Sequence, residues 1–282
     1  MKIRSILLAL PLILTACDVV KEPVPPGIPV TGGNGEEVRR RVLLEDFTGH
    51  RCNNCPAAAS TAHDLQELYG EDVVVVGVHV TEDFAAPEPG PNGSYTTDFR
   101  TPAGNAYEQA FNIFWLPAGM VNRKEFNASQ LLSHTAWPTA VSEMIGLPAS
   151  FDILFSSIEH DANSNTLDAT VKVAVLQPVA GEYALTVYLT EDHVIDWQYD
   201  AQAADPNVPN YDHRHVLRTN LNGPWGDQVI ASSAVPGDTL ELSFTNVPLQ
   251  PEWNISNCAL VGYIHATSTN EVFQVTEQKI DP

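Results

Sequence analysis

Apolar residues fall in short dense runs through the first half of the chain and alternate with polar ones through the second. RVLLEDF, from Arg41, reads as a strand. CPAAASTAHDLQELYG has helix-forming composition and ends at Gly70, and DVVVVGVHV is the β-branched run of a strand buried on both faces. Strand, helix and buried strand in that order predict a βαβ unit. Residues 84–105, rich in Pro and Gly, read as an inserted loop. AYEQAFNI then predicts a helix, FWLPAGMVNRKEF a strand entered through a proline turn, and SQLLSHTAWPTAVSEMIGL a closing helix broken or kinked near Pro138.

From Ala149 the texture changes. SFDILFSSIEH, TLDATVKVAVL, EYALTVYLTED, DTLELSFTNV, CALVGYIHAT and EVFQVTEQ are separated by turn residues, as an antiparallel sandwich requires. Residues 197–228 read as a long irregular insertion, of the kind that more often serves a function or an interface than none. The division expected is an α/β domain over 39–148 and an all-β domain over 149–282.

The start of the chain is of another kind. Lys2 and Arg4 precede an apolar run from Ile6 to Leu14 that is too short to span a bilayer, so residues 1–16 read as an export signal. Leu14, Thr15, Ala16 and Cys17 have the pattern of a lipoprotein signal, which makes Cys17 the expected lipidation site and membrane anchor. Residues 17–38, rich in Pro and Gly and without periodicity, read as a tether. The formal net charge is −21, and removing residues 1–16 with their two basic side chains makes it more negative still. Such a surface repels nucleic acid and anionic headgroups, so no nucleic-acid partner is expected.

Cys52, Cys55 and Cys258 are the remaining cysteines. A close pair in an exported chain is redox-active or bridged. At the start of a helix, free N–H groups and the dipole favour a thiolate, so Cys52 is the candidate nucleophile and Cys55 the resolving thiol. His50 and Arg51 stand next to the pair as sources of positive charge. The spacing alone leaves three readings open: a working dithiol, a structural staple and a metal clip. Pro56 after Cys55 removes c-type haem attachment, which needs His there. A zinc site needs about two more ligands, with His50, His63 and His79 the nearest candidates, so no metal or other cofactor is expected. The order strand, C-x-x-C, helix, buried strand, helix and strand after Pro117 is that of a thioredoxin-like fold, in which a cis-proline faces the dithiol, the role expected of Pro117.

LLEDFTGHRCNNCP, WLPAGMVNR and HRHVLRTNLNGPWG, together with the lipoprotein signal and the β-rich second half, resemble the family named for outer-membrane protein 28. The resemblance implies a thioredoxin-like domain joined to an immunoglobulin-like β domain and association with the outer membrane. It names no reaction. The chain departs from well-characterised thioredoxins in having His50 and Arg51, and no Trp, before Cys52, with Asn53 and Asn54 between the cysteines.

Other residues have plainer expectations. Arg123 is a candidate for a substrate carboxylate, with a solvated strand end as the alternative. His213 and His215 share a strand face if the strand is regular and could there ligate a metal; the alternative is that they pack and hydrogen-bond with Arg218 at the domain interface. Cys258 reads as a small buried hydrophobe, and Glu45 as a possible proton acceptor for Cys55. The function these readings support is thiol–disulfide exchange on envelope proteins that carry thiols or disulfides. The alternative is a non-catalytic surface or binding lipoprotein in which Cys52–Cys55 is a fixed staple.

Overall fold

A computed structural model describes residues 38–281; the expected export signal, Cys17 and the tether up to residue 37 lie outside the described residues. The first part comprises β1 (Val42–Thr48), α1 (Cys55–Tyr69), β2 (Val73–His79), α2 (Glu82–Ala85), α3 (Pro102–Ala110), β3 (Ala118–Val121), β4 (Leu132–Ser133) and α4 (Trp137–Met144). The second comprises β5 (Phe151–Asp161), β6 (Thr166–Val175), β7 (Val179–Ala180), β8 (Tyr183–Glu191), β9 (Val194–Tyr199), β10 (Asn207–His213), β11 (Val216–Asn220), β12 (Asp227–Ile230), β13 (Ser233–Ala234), β14 (Thr239–Pro248), β15 (Cys258–Ala266) and β16 (Val272–Lys279). Mostly strand with a small helical part is therefore the architecture. The closing segment is broken at Pro138 rather than kinked: α4 starts only at Trp137, and Pro138 occupies its first turn, where its missing N–H costs nothing.

A nine-stranded sheet in the order β16-β15-β8-β11-β2-β1-β3-β4, with β12 beside β8, carries the molecule. β1 and β2 run parallel in full register from Val42↔Val73 to Thr48↔His79, and β3 runs antiparallel to β1. β11 joins β2 in parallel where Val216 meets Gly77, and pairs antiparallel with β8 on its other edge. The division expected at 148/149 falls in the connection from α4 to β5, yet both stretches contribute strands to this one sheet. The segment read as an irregular insertion supplies β10 and the linking strand β11; its polar sequence hides both.

Alternation along the strands sorts the side chains onto two faces. Leu43, Phe47, Val74, Val76 and Val78 share one face, under α3, with Tyr188, Val261, Tyr263 and Val275 from the second half, so this core is continuous across the sheet. On the opposite face Val42, Leu44, Val73 and Val75 pack against α1 and α4. Further along that face Leu185, Val187, Leu189 and Leu260 pack against a second sheet, β14-β6-β5, through Phe151, Val171 and Val173. β8 and β15 are thereby covered on both sides. Gly119 in β3 allows the ring of Trp137 to lie on the backbone, since a Cβ there would meet Trp137 Cζ2 at 2.5 Å and the Glu45 carbonyl oxygen at 2.8 Å.

Arg123 corrects an expectation. It is fully buried, so it neither ends a solvated strand nor meets a substrate carboxylate. Asn122 and Arg123 both take left-handed backbone angles, φ 49° and 48°, which turns the chain after β3 and carries the guanidinium to the α3 face. There Nε and Nη2 donate to the two Glu45 carboxylate oxygens at 2.8 and 2.7 Å, and Nη2 lies 2.9 and 3.1 Å from the hydroxyls of Tyr188 and Tyr263. The Tyr107 ring stacks 4.5 Å from the guanidinium carbon. Burial opposes the charge on Arg123, but Glu45 and the two tyrosines outweigh it and hold the guanidinium's pKa well above its ordinary value. Glu45 is thus committed to Arg123 on the face away from α1, and is not the proton acceptor expected for Cys55.

Breaking this pair leaves a buried charge without its partner. Arg123→Met alone is expected to lower unfolding stability by about 3–5 kcal/mol in urea titration, and Glu45→Leu with Arg123→Met to restore most of the loss.

Candidate functional site

The dithiol lies where β1 hands the chain to α1. Gly49 ends the strand beside the Phe84 carbonyl, which a Cβ at this position would strike at 2.5 Å. The chain then turns, with Cys52 N–H donating to the Gly49 carbonyl at 2.9 Å and Cys55 N–H to that of Cys52 at 3.3 Å. Cys55 opens α1, with Pro56 in its first turn, so Cys52 sits in the turn ahead of the helix. The two sulfurs form a disulfide, and the residues are 1 % and 2 % exposed. The intervening Asn53 and Asn54 are exposed.

The Leu116–Pro117 peptide is cis. Because Phe47 pairs with Ala118, Pro117 falls opposite the last residue of β1, at the edge of the turn that carries the cysteines. Phe114, three residues before it, is a large apolar side chain left 75 % exposed.

The expected sources of positive charge are otherwise engaged. His50 is buried, with Nε2 3.2 Å from the Ala86 carbonyl oxygen, and burial lowers its pKa below the ordinary histidine value; it is a neutral ring against Tyr95 and Phe99. Arg51 pairs with Glu88 and donates to the Glu82 carbonyl at 2.8 Å, which fastens the 84–101 loop.

The residue that sequence reasoning missed is Asp46. A strand's two-residue period sends it to the α1 face with Leu44, whereas Glu45 points the other way. Asp46 lines a cavity of about 240 Å³ together with Cys55, Pro56, Ser60, His63, His79, Gln198, Tyr211, His213 and His215. Burial pushes its carboxyl pKa up to about 8, and Oδ1 has no hydrogen-bond partner in the protein. Both ring nitrogens of His79 are likewise unpartnered. Burial, then the neighbouring His213 and His50, drives the pKa of His79 well below the ordinary value, and burial brings His213 down to about 4. These groups stay uncharged at neutral pH, beside a cavity wide enough for the water that buried polar atoms call for.

His213 and His215 do meet, but not as neighbours on one strand face. β10 ends at His213 and His215 takes φ 53° in the turn before β11; both line the cavity. Arg218 donates to Glu191 at 2.7 Å. Cys258 is free and buried, and burial raises its thiol pKa to about 12. Among the described residues, no group of three or more His, Cys, Asp or Glu is placed to hold a metal ion, and no helix is long and apolar enough to cross a membrane.

Asp46 gives a pH signature with a definite sign. Its folded pKa stands above the ordinary 3.8, so its contribution to stability is full below about pH 4 and is lost as pH rises through 8. Asp46→Asn removes that loss: its unfolding free energy in urea titration is expected to gain on the parent's as pH rises from 5, by about 1.4 kcal/mol per pH unit at the steepest, and the difference to level off above about pH 8.

Among solved structures, the chain is similar to HBP35 of Porphyromonas gingivalis, with 20 % identity over 86 % of this chain and 76 % of that one and a TM-score of 0.63. It is also similar to a structural-genomics protein of Agrobacterium tumefaciens, with 12 % identity over 87 % and 97 % and a TM-score of 0.51. At these identities the likeness is one of fold. The search of curated proteins gave no significant match. The family model described as outer membrane protein Omp28 matches residues 104–282, a span that begins beyond Cys52 and Cys55 and covers more than half of the chain. The chain therefore belongs to the outer membrane protein Omp28 family, and its location is the outer membrane.

Proposed function

We propose that this is a lipid-anchored envelope protein whose Cys52–Cys55 pair exchanges disulfides with envelope proteins bearing thiols or disulfides. On this reading residues 1–16 are the signal peptide and Cys17 carries the lipid that holds the chain at the membrane. Residues 39–148 are thioredoxin-like, and 149–282 form a β-sandwich of immunoglobulin-like type fused to them through the β2–β11 pairing.

The observation that carries the reading is Asp46. A structural staple needs no ionisable group behind it, whereas this disulfide has a buried carboxyl with a pKa near neutrality on the cavity that Cys55 lines. A partner thiolate attacks Cys52 Sγ; the Cys52–Cys55 bond breaks as the partner–Cys52 bond forms, and the electron pair remains on Cys55 sulfur. The Asp46 carboxylic acid supplies the proton that converts this thiolate to the thiol. The partner's second thiolate then attacks its own sulfur in the mixed disulfide and releases Cys52. Two electrons pass from the partner dithiol to the protein, and the reverse sequence reduces a partner disulfide.

A second reading, a binding lipoprotein in which the bond is fixed, is favoured by the burial of both sulfurs. Substrate trapping separates the two. Cys55→Ser is expected to accumulate mixed disulfides with envelope proteins, resolved as mass-shifted bands that collapse on reduction, and Cys52→Ser to form none; equal behaviour of the two variants contradicts exchange.

A further inference from the structure

β9 and β10 pair only with each other and stand outside both large sheets. The base of this hairpin is anchored, since His213 is buried with its ring 5.2 Å from that of Phe99, and midway along β9 the Trp197 ring lies 6.1 Å from that of Tyr95. Its far end rests on the turn that holds the dithiol. Gln198, itself 2 % exposed, donates through Nε2 to the Cys52 carbonyl at 3.0 Å, with the Gly49 carbonyl at 3.4 Å. Tyr199 N–H donates to the His50 carbonyl at 2.7 Å, and Ala201 N–H to that of Asn53 at 3.2 Å.

These contacts cover Cys52, yet they are of a kind that opens. Those to the turn are hydrogen bonds to backbone carbonyls, which water replaces at small net cost, and one side-chain bond, from the Tyr95 hydroxyl to Asn207 Oδ1 at 2.9 Å, joins the far end to the neighbouring loop. The hairpin's apolar side chains secure it only in part, since Ile195 is 58 % exposed and Tyr199 36 %, while Trp197 and Tyr211 are half-buried. An element with an anchored base, a polar underside and partial apolar burial belongs to the less stable part of a fold. The cavity on the Cys55 side is walled in part by the hairpin itself, through Gln198, Tyr211 and His213, and its other walls include the exposed Ser60 and Arg214, by which a small molecule reaches it with the hairpin in place.

We infer that the β9–β10 hairpin is a hinged flap that selects the partner by size, with Gln198 as its latch. Shut, it bars a folded protein from Cys52, while a small dithiol enters the cavity. There its thiolate attacks Cys55 Sγ, the Cys52–Cys55 bond breaks and Cys52 leaves as the thiolate; the second thiol of the same molecule then releases Cys55, so that the small dithiol is oxidised and the protein disulfide reduced. Lifted, the flap exposes Cys52 to a protein dithiol. This rests on the exchange reading above and adds to it what controls admission.

The test compares rates of reduction of the full chain by dithiothreitol and by a folded thioredoxin, for the unaltered protein, Gln198→Ala and Ala201→Pro. The two variants remove separate flap contacts and leave the cysteines and Asp46 in place; Gln198 also lines the cavity, so Ala201→Pro, whose site does not, is the deciding variant. The ratio of the thioredoxin rate to the dithiothreitol rate is expected to rise about tenfold in either variant, the change that loss of one good hydrogen bond produces. A general loosening of the fold raises both rates together and leaves the ratio unchanged. A ratio unchanged in both variants, with dithiothreitol still reducing the bond, overturns the flap and leaves the exchange reading standing. A disulfide in the unaltered chain that dithiothreitol does not reduce overturns both.

Discussion

A guanidinium held away from water has to be compensated where it lies, and much of this molecule is arranged around that requirement. Arg123 comes from the turn after β3, its carboxylate Glu45 from β1, and the hydroxyls around it from Tyr188 on β8 and Tyr263 on β15. The pair therefore ties β1, which leads into the dithiol, and the turn after β3 to β8 and β15 of the second half. Satisfying the charge forces both halves of the sequence into one sheet, and the continuous core under α3 follows from that. β1 cannot shift in register without separating Glu45 from Arg123, and β1 is the strand that presents Asp46 and leads into Cys52.

The alternation of β1 then divides its two acidic residues between two tasks. Glu45, on the α3 face, accepts two hydrogen bonds from the Arg123 guanidinium. Asp46, one residue on and on the α1 face, meets no cation among the groups that shift it, and burial alone keeps its proton to about pH 8. Neighbouring carboxyls thus meet opposite surroundings, one a buried guanidinium and the other the uncharged wall of a cavity, because one residue of register places them on opposite sides of the sheet. The neutral histidines His79 and His213 extend the same uncharged, solvent-poor setting around the cavity that Cys55 lines.

Much of this was legible in the sequence wherever a run of apolar residues announced itself. VLLEDF, the helix from Cys55 and VVVVGVH give β1, α1 and β2 directly, and the proline before AGMV marks the turn into β3. The linking strand β11 was not legible, since VLRTN has only two apolar residues and its pairing with β2 rests on a single residue pair at Gly77. The β9–β10 hairpin was hidden by its Asp, Asn and Pro content, which reads as loop although a two-stranded ribbon on the surface tolerates it. The choice between Glu45 and Asp46 depended on which strand face α1 covers, and side-chain type carries no information about that. Arg123 escaped because the two left-handed residues that aim it follow a strand whose simple alternation would have left it at the surface.

Whether the Cys52–Cys55 bond is exchangeable decides what the protein does, and its reduction potential measures that directly. Equilibration of the chain in graded glutathione and dithiothreitol buffers, read by the mass added on thiol alkylation, is expected to give a midpoint between about −120 and −270 mV, the range of catalytic dithiols. A midpoint below about −300 mV is that of a permanent structural bond and would contradict it.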